Sequence, residues 1–346
     1  MTFLHGPLQK TPIDAQTRSE IINNLWSQKP SLQLQQGDLD WDSYFTYYTK
    51  QCNHALYDRG RHISSRTHHD VVDIAQQLED LSSKDVIKQN LRSNLTSPNL
   101  PNENELLESS IDLASRLLLM MDIGVVQYGF SGRRQLVWST GSLRDFLNGY
   151  FSQSQVLGHD NVKLERMFTA RNLGRIAGIQ IEWTDNLADH LRIIDDEDKR
   201  VAIFHHASFL KWQNSKLFPD GLIEETLRSL ALLFPQSDKH TQKWFNKLPY
   251  SLHLDSKVIK CGQLRVDDRQ IEKFKFWHDR LVILKQVFDQ SRPATLSQWW
   301  YDRRNGVQWY TFWVAILVLF LTTFFGMVQS IEGALQVHKA YHPTPL

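Results

Sequence analysis

Residues 305–331, which include the run "WYTFWVAILVLFLTTFFGMVQ", carry no charged side chain, and this one stretch limits what the chain can be. A helix that crosses a bilayer needs about 20 apolar residues, and this run exceeds that length. Leu, Ile, Val and Phe dominate it, each favouring insertion by roughly 0.3 to 0.6 kcal/mol at the helix centre. Core helices of soluble domains are shorter and keep a polar stripe. A single C-terminal transmembrane helix is therefore expected, with Trp309, Leu317, Phe320 and Phe325 in the span. Trp299, Trp300, Tyr301, Trp309, Tyr310 and Trp313 crowd its start, where amphipathic rings favour the headgroup layer. Arg303 and Arg304 stand on the same side and can reach lipid phosphates, whereas Glu332, His338 and Lys339 follow the span. That bias places the preceding body in the cytosol. The start "MTFLHGPLQKTPIDAQ" has no apolar core of a signal peptide, so a tail-anchored topology is expected. The length of the span and the sparse basic tail favour the endoplasmic reticulum or a secretory membrane over the mitochondrial outer membrane. Gly326, Ser330 and Ala334 recur every fourth residue, a row of small side chains through which two helices of a homodimer can pair.

The body ahead of the span is polar and close to charge balance, with 39 Lys and Arg against 38 Asp and Glu. No excess of positive charge is available to neutralise a phosphate backbone, so nucleic acid is not an expected partner. Cys52 and Cys261 stand in neither disulfide nor zinc spacing, which suits a reducing compartment.

An α+β, helix-rich body with a few short strands is expected. Its parts are a helical region over 1–100, an α+β core over 101–262, a juxtamembrane amphipathic helix with an aromatic and basic flank over 263–304, the span over 305–331 and a tail over 332–346. Apolar spacing predicts helices over 40–59, 71–91, 103–121, 222–234 and 267–288. In the last, Phe274, Trp277, Leu281, Leu284 and Phe288 have heptad spacing over a stretch too short for a coiled coil. Asp70 is expected to cap the second helix, and Ser142, with Asp145 three residues on, to cap a short one. "GVVQYG" and "RQLVWS" read as strands of a hairpin-like unit, as do "AGIQIEW" and "RVAIFHH". Pro98 and Pro101 mark the best internal boundary.

Chemistry is sparse. Asp185, Asp189, His190, His205 and His206 are the right types for zinc, manganese or iron, and the reading settles on Asp189 and His190 with one of His205 and His206. Only one of that pair is expected to join, because neighbours on a strand point to opposite faces. The competing reading is local hydrogen bonding around a turn. A second group, Arg59, Arg61, His62, Arg66, His68 and His69, together with Arg303 and Arg304, offers positive charge to anionic lipid. GxSxG, P-loop, GxGxxG and EF-hand patterns are all absent, so no cofactor is expected. The sequon at Asn94 matters only if the body is lumenal.

The stretches "WSTGSLRDFLNGYF", "WTDNLADHL", "IFHHASFL", "IEETLRSLALLFPQSD" and "YDRRNGVQWYTFWVAILVLFLTTFFGMVQSIEGALQV" resemble a group of uncharacterised single-pass membrane proteins of filamentous fungi. The resemblance covers residues 138–340 and implies a soluble body followed by one C-terminal span. It assigns no activity, cofactor or site residue. The reading with most support is a membrane-anchored adaptor that recruits a cytosolic protein partner through the acidic loop 195–198 or the aromatic region 299–309. A metal-dependent hydrolase around Asp189, His190 and His205 is the alternative, and an anionic-lipid-binding protein the third.

Overall fold

In the computed structural model the chain is helix-rich, with one small three-stranded sheet and a long C-terminal helix. The structure describes residues 3–9, 12–26, 38–93, 102–125, 135–152, 156–158, 163–195, 199–291, 293, 295–302, 304 and 306–341. The chain forms two compact units, one from residues 1–174 and 179–290, the other from 175–178 and 291–346.

The first unit opens with helices α1 (Ala15–Leu25), α2 (Asp42–Ala55), α3 (Tyr57–Gly60), α4 (His68–Glu79), α5 (Lys84–Ser93) and α6 (Glu103–Leu119). The last of these is the centre of the helical region, packed by α2, α4 and α5. The apolar stripe behind the predicted helix over 103–121, Leu107, Ile111, Ala114, Leu118 and Met121, is buried, the last of them two residues past the end of α6, and so are Leu113, Leu117 and Leu119. A helix buried this far round leaves its last carbonyls without water, and each end of an α-helix has four such orphan groups. Aromatic side chains reach three of the last four, two of which have no other partner among the described residues; the Arg116 carbonyl also accepts the Met120 N–H (2.8 Å). Tyr47 Oη donates to the Arg116 carbonyl (3.1 Å), Tyr44 Oη to that of Leu117 (2.9 Å) and Trp26 Nε1 to that of Leu118 (3.1 Å). The apolar rings fill the core while their polar tips close the helix end.

The predicted helix over 71–91 is two helices. Between them Leu81 takes a left-handed φ of 59°, with its N–H on the Leu78 carbonyl and that of Ser82 on Gln77. This is a Schellman stop with leucine in the place glycine usually holds, so the sequence carries no punctuation there. Thr67, not Asp70, is the N-cap of α4, and Asp70 reaches back to the Thr67 N–H to complete a capping box.

After α7 (Leu143–Phe151), capped by Ser142 as expected, come α8 (Ala170–Ala177) and the strands β1 (Gln180–Thr184), β2 (Ile193–Asp195) and β3 (Arg200–Phe204). The sheet order is β1-β3-β2; β1 runs parallel to β3 in the register Gln180↔Arg200 to Thr184↔Phe204, and β2 runs antiparallel to β3. The expected pairing of 179–183 with 201–206 is present, but parallel rather than as a hairpin, because β2 and the turn Leu187–Asp189 lie in the connection. Ile123 and Leu136 make a single parallel bridge where the other hairpin was expected; residues 126–134 lie outside the described residues.

Helices α9 (Ala207–Trp212), α10 (Leu222–Leu233), α11 (Lys239–Phe245) and α12 (His278–Gln290) complete this unit. The helix predicted from 267 begins only at His278. Glu225, buried on α10, accepts the backbone N–H groups of Lys275, Phe276 and Trp277, each at 2.8 Å, and so holds that stretch out of the helix. The seam residues Phe274, Trp277, Leu281, Leu284 and Phe288 are all buried, the first two ahead of α12. The boundary at Pro98 and Pro101 lies outside the described residues, and the chain on both sides of it belongs to the first unit.

The second unit holds α13 (Leu296–Tyr301) and α14 (Gly306–Tyr341). Trp299 stacks on Phe312 with ring centroids 4.4 Å apart, and Trp300 meets Trp313 edge-on at 4.9 Å. Within α14, Gly306–His338 is apolar enough to cross a membrane and none of its window is buried. An apolar helix without protein around it fits a membrane anchor.

Candidate functional site

Parallel pairing puts the residues that leave β1 and β3 side by side, at the carboxyl ends of the two strands. Asp185 follows Thr184, and His205 follows its partner Phe204. Ligand sites in sheets of this kind gather at such ends. Beyond Phe204 the chain quits the strand, and His206 is the N-cap of α9 with φ -80° and ψ 69°. The alternation of a strand ends there, so both imidazoles turn the same way. Their rings stack with centroids 4.0 Å apart, and Asp185 Oδ1 lies 2.8 Å from His206 Nε2 and 3.4 Å from His205 Nε2. Both histidines, rather than one, join the cluster.

The hydrogen bonds fix the tautomers. His205 Nδ1 accepts from the Asp255 N–H (3.4 Å), which leaves its proton on Nε2, facing Asp185. His206 also turns Nε2 to Asp185, and its buried Nδ1 has no hydrogen-bond partner. Burial pushes the Asp185 carboxyl up, but hydrogen bonds and charge from the two imidazoles outweigh it and hold the group far below the usual carboxylate range. Burial, with the neighbouring His205, lowers His206 to about 4 against the pull of Asp185. An ionised carboxylate thus faces the Nε2 atoms of both rings, the His206 ring being held neutral by its burial.

Asp255 supports the pair from behind. Its carboxylate accepts the Ser208 N–H, the Ser208 hydroxyl (3.1 Å) and the Lys257 N–H (2.8 Å), and burial nonetheless raises it to about 6. Asp40 closes the same corner, donating its N–H to Ser208 Oγ (2.8 Å) and accepting from the Ser256 N–H (2.9 Å). Nothing in "HLDSK" around Asp255 marks it as a partner of residues fifty positions earlier in the chain; only the fold unites them.

Asp189 and His190 lie elsewhere. The Asp189 carboxylate accepts from Asn186 Nδ2 (2.9 Å) and Arg192 Nη1 (3.3 Å) around the turn. His190 is wholly buried, with Nε2 on Ser229 Oγ (2.7 Å), Nδ1 accepting from the Phe204 N–H (3.2 Å) and the Trp277 ring edge-on at 5.0 Å. Both of its nitrogens are engaged, and burial together with the Arg280 charge lowers it to about 3. It supports the packing of β3 against α10.

The Arg and His loop is dispersed. His68 enters the core and bonds Tyr48 Oη (2.9 Å), and His69 pairs with Asp73 (3.0 Å). His62 faces Glu105 at 3.9 Å, while Arg61 and Arg66 are exposed. The side chain of Arg59, all of Arg303 and residues 196–198 lie outside the described residues. Arg304 is tied to both Asp302 carboxylate oxygens (2.8 and 2.7 Å) and to the Ser291 carbonyl (2.7 Å). Gly326, Ser330 and Ala334 share one face of α14, and nothing lies within 4 Å of where a Gly326 side chain would begin.

One donor atom from each of Asp185, His205 and His206 lies within 4.8 Å of the others. A tetrahedral zinc site with bonds of about 2.0–2.1 Å spaces its ligands by about 3.4 Å, so a small closure completes a three-ligand set. Binding through Nε2 moves each ring proton to Nδ1. Both rings exchange their Nε2 contacts with Asp185 for the metal; the unpartnered His206 Nδ1 takes its proton freely, whereas a proton on His205 Nδ1 displaces the Asp255 N–H that now donates there. Neither Nδ1 faces a carboxylate or carbonyl of the kind that usually strengthens a ligating imidazole, which points to modest affinity. Comparison with family models, with curated proteins and with solved structures gives no match.

Proposed function

We propose that this is a membrane-anchored, metal-dependent hydrolase whose metal ligands are Asp185, His205 and His206. The carrying observation is the convergence of one carboxylate oxygen and two imidazole nitrogens on one point. Three protein ligands, two of them histidine and one a carboxylate, are the set of catalytic zinc and of non-haem iron(II), with a position left for water. A divalent cation held there supplies a Lewis acid that turns bound water into a nucleophile near neutral pH. Asp185 is the half-exposed member and opens the site to solvent, while His205 and His206 form its buried wall. Tyr47, with its ring 6.3 Å from that of His206, closes the inner side.

The body is placed on the cytosolic side, supported by Arg303 and Arg304 ahead of the apolar run and Glu332 directly after it. The endoplasmic reticulum or a secretory membrane is the proposed site, in keeping with the length of the span. The fungal single-pass group belongs to the same proposal, supported by the shared layout of a body and one C-terminal apolar helix.

Elemental analysis of the purified full chain tests the reading. Zinc or iron near one equivalent, lost in Asp185→Asn, is expected. Metal-free wild type that takes up neither ion on dialysis overturns it and leaves the adaptor reading, to be pursued by capture of a cytosolic partner.

A further inference from the structure

A second site lies in the same unit, apart from Asp185 and its histidines. A cavity of about 800 Å³ opens between residues 165–172, 231–240 and 263–269. Arg166, Arg171, Lys239, Arg265 and Arg269 line it, against the carboxylates of Glu165 and Asp238. Asp238 is committed to capping α11, accepting the His240 N–H (2.9 Å) and the Thr241 hydroxyl. In a chain with a formal net charge of +1, so local an excess of cations is not a property of the whole surface. Asp268, close by in the chain and outside the lining, accepts the Arg265 backbone N–H (3.2 Å). Ala231 and Leu232 give the cavity a buried apolar floor.

Two features distinguish this cavity from a solvated basic rim. Arg269 Nε is buried and has no hydrogen-bond partner, so a donor of a planar fork has been withdrawn from water without an acceptor. The walls are also fixed to one another. The Leu164 N–H donates to the Arg269 carbonyl (2.8 Å), the Gln236 N–H to that of Gly262 (3.1 Å) and Asn172 Nδ2 to that of Met167 (2.9 Å). The backbone that carries Arg171 and Arg269 is thereby fixed before a ligand arrives, while Arg166, Lys239 and Arg265 stand exposed at the rim.

We propose that this cavity binds a phosphate-bearing molecule, its phosphate held by Arg171 and Arg269 and its apolar part over Leu232. Arginine forks match the oxygens of a phosphate two at a time, and a phosphate accepts from several donors at once. The same chemistry is offered by a soluble phosphate ester and by a phosphorylated lipid headgroup. This set of arginines shares no member with the loop around Arg61 and Arg66.

The test uses the full chain in phosphatidylcholine nanodiscs, stripped with a chelator so that metal at Asp185 cannot hold the ligand. Isothermal titration is run with inorganic pyrophosphate in one arm and with glycerophosphoinositol 4-phosphate, a headgroup without acyl chains, in the other. Saturable binding in at least one arm is expected, and the tighter arm names the source. The double variant Arg171→Gln/Arg269→Gln weakens it by about tenfold or more, as loss of charge-assisted bonds requires, while Lys50→Gln on α2 leaves it unchanged. Circular dichroism checks that the double variant folds; if it does not, the rim pair Arg166→Gln/Arg265→Gln takes its place with the same expected loss. Absence of saturable heat in both arms up to about 10 mM, or equal weakening by Lys50→Gln, overturns the proposal.

Discussion

Asp255 on one side and His206 and His190 on the other pull the stability of the body in opposite directions as pH falls. Asp255 has a folded value of about 6 against an ordinary 3.8, so the folded chain keeps a proton that the unfolded chain releases. That contribution is complete below pH 3.8 and is lost as pH rises through 6. His206 at about 4 and His190 at about 3, against an ordinary 6.5, act the other way. Their contribution is complete above pH 6.5 and is lost as pH falls through 4 and then 3. Between pH 6 and 4 two protons taken up by the unfolded chain oppose one held by the folded chain. The part of the stability that these three groups supply should then fall by about 1.4 kcal/mol per pH unit. Asp255→Asn removes the opposing proton and should steepen the fall seen in urea unfolding at stepped pH by about 1.4 kcal/mol per pH unit relative to wild type; an unchanged slope contradicts the assignment. At Glu225 the cost is geometric. Three N–H groups converge on one carboxylate, and Glu225→Gln, with a single acceptor oxygen, should destabilise by about 1–3 kcal/mol.

At the scale of elements, apolar spacing marked where helices are and failed where the chain stops without the usual stop residues. Leu107, Ile111, Ala114 and Leu118 announced α6 because a buried stripe repeats with the helix. The break at Leu81 was illegible because a leucine occupies a left-handed position that glycine fills at lower cost. Leu81→Gly should therefore stabilise the body by about 1 kcal/mol in chemical denaturation, the reverse of what glycine does inside a helix. The heptad of 274–288 named buried residues correctly but not their conformation, since Phe274 and Trp277 owe their place to Glu225. Tyr44, which helical spacing over 40–59 marks only as an apolar position, also closes the end of α6. Tyr44→Phe should cost about 1–3 kcal/mol by leaving the Leu117 carbonyl unpaired.

For the whole molecule, the long apolar helix was legible because 305–331 needs no partner to be understood: its composition alone marks a helix apolar enough to cross a membrane. Helix α14, 36 residues long, measures about 54 Å at ~1.5 Å per residue, longer than the ~30 Å hydrocarbon core that a spanning helix must cross. Leu319→Arg, near the middle of the apolar run, should cost about 2.5–3.5 kcal/mol of insertion and move the protein into the alkaline-carbonate supernatant. The site was legible in its residue types and not in its membership. "WTDNLADHL" and "IFHHASF" offered five candidates, and which of them meet depended on a parallel register that β2 and the turn before it make possible. Asp185 and both histidines meet because each leaves its strand at the same level, while Asp189 and His190 turn back into the packing. The decisive measurement is a cobalt(II) titration of the metal-free full chain, followed by visible absorption. The account predicts a d–d band that saturates at one equivalent, is lost in Asp185→Asn and in His206→Asn, and persists in His190→Asn. A band that survives Asp185→Asn and disappears with His190→Asn, or no band in the wild type, would contradict it.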